Sequence, residues 1–258
     1  MKERASIRVD YLARVEGQGA LDITFDADAC DVKLKIFEPP RFFEAFLEGR
    51  SYDEVHELTS RICGICPVAH QITSLRAVEN AMGLEVSQQT RDLRKILALS
   101  AIISSHVLSL YVLSAPDYFG QGGMFSLREK QPTLVKRALK LKKLANEIGD
   151  VIGGRAVHPV YAVVNGFTRI PTKDQIAGLK ARLQDARKDA LETARLFGRL
   201  DYPKLSGGTE QLAISKKGEY AINEGMMRST GGSWPPKRNT VSMSRRTRYS
   251  IPTPKAPL

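Results

Sequence analysis

Two adjacent prolines, Pro39 and Pro40, divide this sequence into stretches with different periodicities. Ahead of them, residues 19–25 (GALDITF) and 31–37 (DVKLKIF) alternate apolar and polar, the period of a half-buried strand. Residues 26–30 between them suit a hairpin connection, and residues 7–9 suit a third strand. Proline has no N–H to give to a ladder, so the sheet ends there. From Arg41 onward the period is helical. Ser51 and Glu54 have capping-box spacing and open a short helix toward Arg61. A second helix is expected over 68–82, stopped by Gly83, and a long one over 87–114, ended by Pro116. The second half of that long helix is apolar nearly all round and reads as central in the core. Pro132 suits the first turn of a helix closed by Gly153 and Gly154, and Thr172 with Gln175 caps another. The fold class is therefore α+β: a small N-terminal antiparallel β-sheet followed by a predominantly helical bundle.

The chain has 258 residues, 42% of them apolar, enough for a sizeable core. The most apolar stretch, 96–113, is broken by Ser100, Ser104, Ser105, His106 and Ser109, so a core helix is expected and no membrane span. The opening segment has no apolar run of the secretory kind. The formal charge is +11, but residues 233–258 hold six of those excess positive charges and no acid. The remainder is only mildly basic, and its aromatics do not interleave with cations, so no nucleic acid is expected as a partner. Those last residues also contain five prolines and no periodic apolar face. We therefore expect one structured region over 1–232 and a basic, Pro-rich tail over 233–258, disordered or read out of frame.

There are three cysteines, two of them as C-x-x-C in RICGICPVAH, which suggests a reducing compartment rather than a disulfide framework. Cys63 and Cys66 can be two small buried hydrophobes, a redox pair, or metal ligands. A thioredoxin-like pair follows a strand, and here a helix precedes it. A structural zinc takes four ligands, of which Cys63, Cys66 and His70 offer three. His56, His106 and His158 stand singly.

The longer string resembles the N-terminal cysteine motif of nickel–iron hydrogenase large subunits, R-x-C-G-x-C-x-x-x-H, with Arg61, Cys63, Gly64, Cys66 and His70 in place. Arg14-Val15-Glu16-Gly17 is similar to that family's R-I/V-E-G segment, and Arg41 with Glu44 to its R-G-x-E segment. Ser105, His106, Leu108 and Tyr111 resemble its S-H-x-L-H-x-Y region. Gly153-Gly154-Arg155 with His158-Pro159 resembles its G-G-R/K-x-x-H-P region. Gln18, Ser109 and Asn165 depart from the family pattern. The style is closest to the cytoplasmic multi-subunit classes.

The resemblance implies a nickel–iron centre with cyanide and carbon monoxide on the iron. In it Cys63 would be a terminal nickel ligand and Cys66 a bridge; soft thiolates suit both metals. It implies Glu16 as proton relay, Glu44 as a magnesium ligand, and His70 as a hydrogen-bond partner of cysteine sulfur. It also implies an iron–sulfur small subunit as electron partner, further electron-transfer subunits, and a cytoplasmic location. The family's second cysteine pair, in D-P-C-x-x-C, has no counterpart, and Cys30 stands alone. A truncated or frameshifted product, incomplete for catalysis, is therefore expected, with a non-catalytic scaffold or a small zinc or redox protein as alternatives. The DNA beyond codon 232 tests this. A D-P-C-x-x-C in another frame is expected, and an intact single frame ending at Leu258 without one would overturn it.

Overall fold

The computed structural model describes residues 5–26, 29–204, 207–208, 210–222 and 225–233. They form two compact units, divided between Asp201 and Tyr202. Apart from Ser233, the expected basic tail lies outside the described residues.

The first unit begins with an antiparallel sheet of β1 (Ala5–Val9), β2 (Gly19–Asp26) and β3 (Ala29–Ile36), in that order. The register aligns Ile7 with Ile23 and Val32, and Val9 with Leu21 and Leu34, so the alternating apolar residues share one face. Asp22 on the opposite face pairs with Lys35 and lies 3.9 Å from Arg8. The apolar face is largely uncovered: Val32, Leu34 and Ile36 are 57%, 59% and 69% exposed. Cys30, expected in the hairpin turn, lies in β3 opposite Phe25, because the ladder runs on to Asp26 and Ala29.

Pro40 takes the first position of α1 (Pro40–Leu47). Helix α2 (Val55–Ser60) begins one residue after Glu54, whose carboxylate accepts from the Ser51 N–H at 3.1 Å, one half of the expected capping box. Helix α3 (Pro67–Met82) stops at Gly83, whose φ of 67° is the left-handed value a glycine adopts without strain. Helix α4 (Gln88–Val107) is capped by the Ser87 hydroxyl, which accepts from the Thr90 N–H.

Pro116 does not end this helix. The chain widens into a π-helical segment (Leu108–Ser114) and continues as α5 (Ala115–Tyr118). The shifted i→i+5 pairing just ahead of Pro116 lets the helix continue past a residue without an N–H. The run from Gln88 to Tyr118 is long and apolar enough to cross a membrane, yet only 22% of its most apolar window is buried. Its buried side chains, Leu97, Val107, Tyr111 and Ala115, belong to the hydrophobic core, while its other faces are only partly covered.

Helix α6 (Met124–Lys130) leads into α7 (Pro132–Gly153), with Pro132 in its first turn and Gly154 ending it at φ 80°. A short hairpin follows, β4 (Ala162–Val163) with β5 (Gly166–Phe167), and then α8 (Lys173–Phe197), opened by a complete Thr172–Gln175 capping box. The core forms where α3, α4, α7 and α8 meet, around Leu97, Tyr111, Leu127 and Ile152. The Tyr111 hydroxyl bonds Thr193 Oγ1 at 2.7 Å, and its ring meets Phe197 edge-on. The second unit contains the antiparallel strands β6 (Leu212–Ser215), β7 (Met226–Ser229) and β8 (Gly232–Ser233).

One buried ion pair ties three of these elements together. Arg94 on α4 forks onto Glu79 on α3 with bonds of 2.8 and 2.6 Å, both side chains 4% exposed. Glu79 also accepts from the Asn165 N–H, and Arg94 donates to the Val163 carbonyl, both in the β4–β5 hairpin region. Burial pushes the Glu79 carboxyl up, but Arg94 and the Asn165 N–H outweigh it and hold the group below the usual carboxylate range. Its contribution to stability is thus present above the unfolded value, about 4.3, and fades as pH falls through the lower folded value. Glu79→Gln, which leaves Arg94 buried and unpaired, should cost about 3–5 kcal/mol near pH 7. Urea unfolding should show that gap narrowing at pH 3; an equal gap at both pH values would contradict this role.

Candidate metal centre

The cysteine pair sits in the short loop between α2 and α3. The Arg61 N–H closes α2 on the Leu58 carbonyl, and Cys66 is the residue that enters α3, ahead of Pro67. The tight turn folds two backbone N–H groups onto Cys63: its Sγ accepts from Cys66 at 3.2 Å and from Ile65 at 3.4 Å. These lie at the N-terminal end of a 16-residue helix, where negative charge is favoured.

The two thiols are driven apart electrically. Burial opposes charge on Cys63, but hydrogen bonds from the Cys66 thiol and from the two backbone N–H groups outweigh it, so Cys63 lies below the ordinary thiol value. Burial first, then the hydrogen bond and charge of Cys63, push Cys66 up to about 12. The pair therefore gives up its first proton at Cys63 and keeps the second on Cys66.

Glu16 lies within electrostatic reach of both sulfurs, since its negative charge raises both thiols. It is exposed, on the loop between β1 and β2. That loop is held on either side of it. Arg14 forks onto Asp117 at the end of the α4–α5 run, at 2.9 and 2.7 Å. The Gln18 N–H donates to Glu38 at 3.0 Å. Gly17, at φ 90°, lies so close to Glu38 that a Cβ would sit 2.9 Å from its Oε1.

The other candidates are not gathered here. His70 is half-buried on α3, one turn beyond Cys66, while the donors on Cys63 Sγ are backbone groups. Glu44 is exposed on α1, and Cys30 is exposed on β3. Among the described residues no three His, Cys, Asp or Glu side chains converge to hold a metal, so the zinc set of Cys63, Cys66 and His70 is not assembled. The sequence reading missed the partners that shape the site. The Arg14–Asp117 fork joins the R-V-E-G segment to α5, and at 103 residues apart no spacing reveals it. Glu38 precedes Pro39 with no motif of its own.

Residues 41–127 match the sequence profile of the nickel-dependent hydrogenase family. The chain is 36% identical over 229 residues to sulfhydrogenase 1 subunit alpha of Pyrococcus furiosus, covering 88% of this chain and 54% of that protein. It is 29% identical to the periplasmic NiFeSe hydrogenase large subunit of Desulfomicrobium baculatum, over 73% of this chain and 41% of that one. The chain thus spans about half the length of these relatives. Among solved structures, an NAD+-reducing NiFe hydrogenase superposes with a TM-score of 0.79 over 87% of this chain and 54% of its own, at 24% identity, which speaks for the fold. The reduced, active NiFeSe hydrogenase of Desulfomicrobium baculatum gives a TM-score of 0.62 at 26% identity, over 73% and 44%.

The split between the two thiols has a direct consequence. At pH 8, iodoacetamide should alkylate Cys63 at least about tenfold faster than Cys66, since the thiolate is the nucleophile. Peptide mass spectrometry after limited labelling reads the two rates, and equal rates would contradict the asymmetry.

Proposed function

We propose, since this chain belongs to the nickel–iron hydrogenase large-subunit family, that Cys63 and Cys66 are the N-terminal half of the thiolate set of a nickel–iron centre. The supporting observation is the pair itself: two neighbouring thiols at the mouth of α3, Cys63 the more acidic of the two, with the Glu16 carboxylate acting on both. The donor type fits, because soft thiolates suit nickel and low-spin iron. The donor number does not, because no third ligand joins them among the described residues. When bound, a nickel–iron centre with cyanide and carbon monoxide on its iron supplies the redox capacity for reversible heterolytic cleavage of dihydrogen.

In this reading Cys63 and Cys66 would both hold the centre through their sulfurs. Cys66 Sγ holds a proton at neutral pH, and in this reading the exposed Glu16 carboxylate, whose charge acts on that sulfur, relays protons to solvent. His70 orients the pair from α3, and Glu44 offers a hard oxygen to magnesium. Electrons pass to an iron–sulfur small subunit and further electron-transfer subunits, in the cytoplasm; the name of the sulfhydrogenase alpha subunit supports a multi-subunit assembly. The missing third ligand also supports a second reading, a scaffold relative without catalysis.

Elemental analysis and activity separate these readings. The purified 258-residue chain should take up nickel through the pair and lose it in Cys63→Ser with Cys66→Ser, yet show no dihydrogen-dependent dye reduction. Nickel uptake unchanged by the double substitution would sink the metal reading. One zinc per chain, lost together with folding on Cys63→Ser, would favour the zinc alternative, and no metal at all would favour the scaffold.

A further inference from the structure

The loop after α7 carries His158 and Pro159, neither of which has a part in the reaction proposed above. It reaches both flanks of the cysteine loop. His158 Nδ1 lies 2.8 Å from the carbonyl of Ser60, three residues before Cys63. A carbonyl only accepts, so Nδ1 carries the proton in this contact. The very next residue takes the other flank: Gln71 Nε2, five residues beyond Cys66, donates to the Pro159 carbonyl at 2.7 Å. Gln71 and Pro159 are both fully buried.

The dipeptide is itself firmly based. The Gly153 carbonyl at the end of α7 accepts from the N–H groups of Val160 and Tyr161, at 2.8 and 3.1 Å. Pro159 sits so tightly on Gly153 that a Cβ there would lie 2.8 Å from the proline Cβ and 3.1 Å from Leu97. His158 has a φ of 53°, a left-handed conformation that a β-carbon disfavours. Such a residue persists where its surroundings over-determine it, which is typical of functional sites.

We propose that His158 and Gln71 are positioning residues for the Cys63–Cys66 pair, clasping residues 61–66 at both ends against the α7 terminus. The clasp holds the turn tight enough for Cys63 Sγ to keep the N–H groups of Ile65 and Cys66 in reach. It depends on the metal reading only for its purpose, since the contacts stand without it. The clasp borders the core at Leu97 and Ile152 but adds only two hydrogen bonds to it, so exchange in the middle of α7 separates a loosened clasp from a damaged fold.

His158→Gly tests it directly, because glycine accepts the left-handed backbone and removes only the ring. Gln71→Met removes the second bond with little change of volume. In the full 258-residue chain each should speed millisecond hydrogen exchange at the Ile65 and Cys66 amides about tenfold, the change that one hydrogen bond of ordinary net strength gives. Exchange in the middle of α7 should stay at the parent rate. Each should also weaken Ni(II) binding about tenfold, read from the thiolate-to-nickel charge-transfer band. Unchanged exchange at Ile65 and Cys66 in both variants would overturn the clasp, as would a rise spread equally through α7. If the parent chain shows no Ni(II) band, the metal reading fails while the exchange rates still decide the clasp.

Discussion

The ion pair between Glu79 and Arg94 is the constraint around which the helical part is arranged. Two charges removed from water are tolerable only when geometry returns what hydration supplied. Here that takes a two-pronged fork, a backbone N–H from Asn165 and a carbonyl from Val163 together. Helices α3 and α4 and the β4–β5 hairpin must therefore meet in one register. Cys66 opens α3 and His158 lies four residues ahead of the hairpin, so the same register brings the cysteine loop and its clasp into contact.

The site follows from a second constraint, the shortness of the loop between α2 and α3. A turn that must enter α3 at once leaves the Ile65 and Cys66 N–H groups with no carbonyl to pair with inside the helix. Cys63 Sγ accepts both, and these bonds join burial and the Cys66 thiol in setting the two thiols apart. Glu16 completes the electrostatics from a separate loop, held by Arg14 on Asp117 and by Glu38. These are surface contacts whose value lies in direction rather than energy.

Where the sequence misleads, the reason is local. Pro116 reads as a helix stop because proline lacks an N–H, but the π-helical segment ahead of it removes the need for one. The apolar stretch of the long helix does supply core residues, Val107 and Tyr111 among them, but a helix apolar on every side is buried only where something packs, and the rest of it is partly covered. The β-sheet is the same case: the alternation in GALDITF and DVKLKIF sets the register correctly, while Leu34 and Ile36 remain exposed. Alternation records that one face is built for burial; it does not supply the partner.

By itself the sequence determined the N-terminal sheet and the main helices, the ends at Thr172 and Gly83, and the two thiols ahead of a helix. Each of these depends on neighbours within four or five residues. It also determined the family, through motifs spaced along the chain. Tertiary structure alone decided that Glu16 acts on both sulfurs, that Arg14 finds Asp117, and that His158 and Gln71 close on the cysteine loop. Those contacts join residues about 50 to 100 apart, or 88 and 98 for the clasp, and side-chain type carries no record of distant partners. The two cysteines were legible from the start; their unequal chemistry came from burial, from each other and from the backbone folded around them.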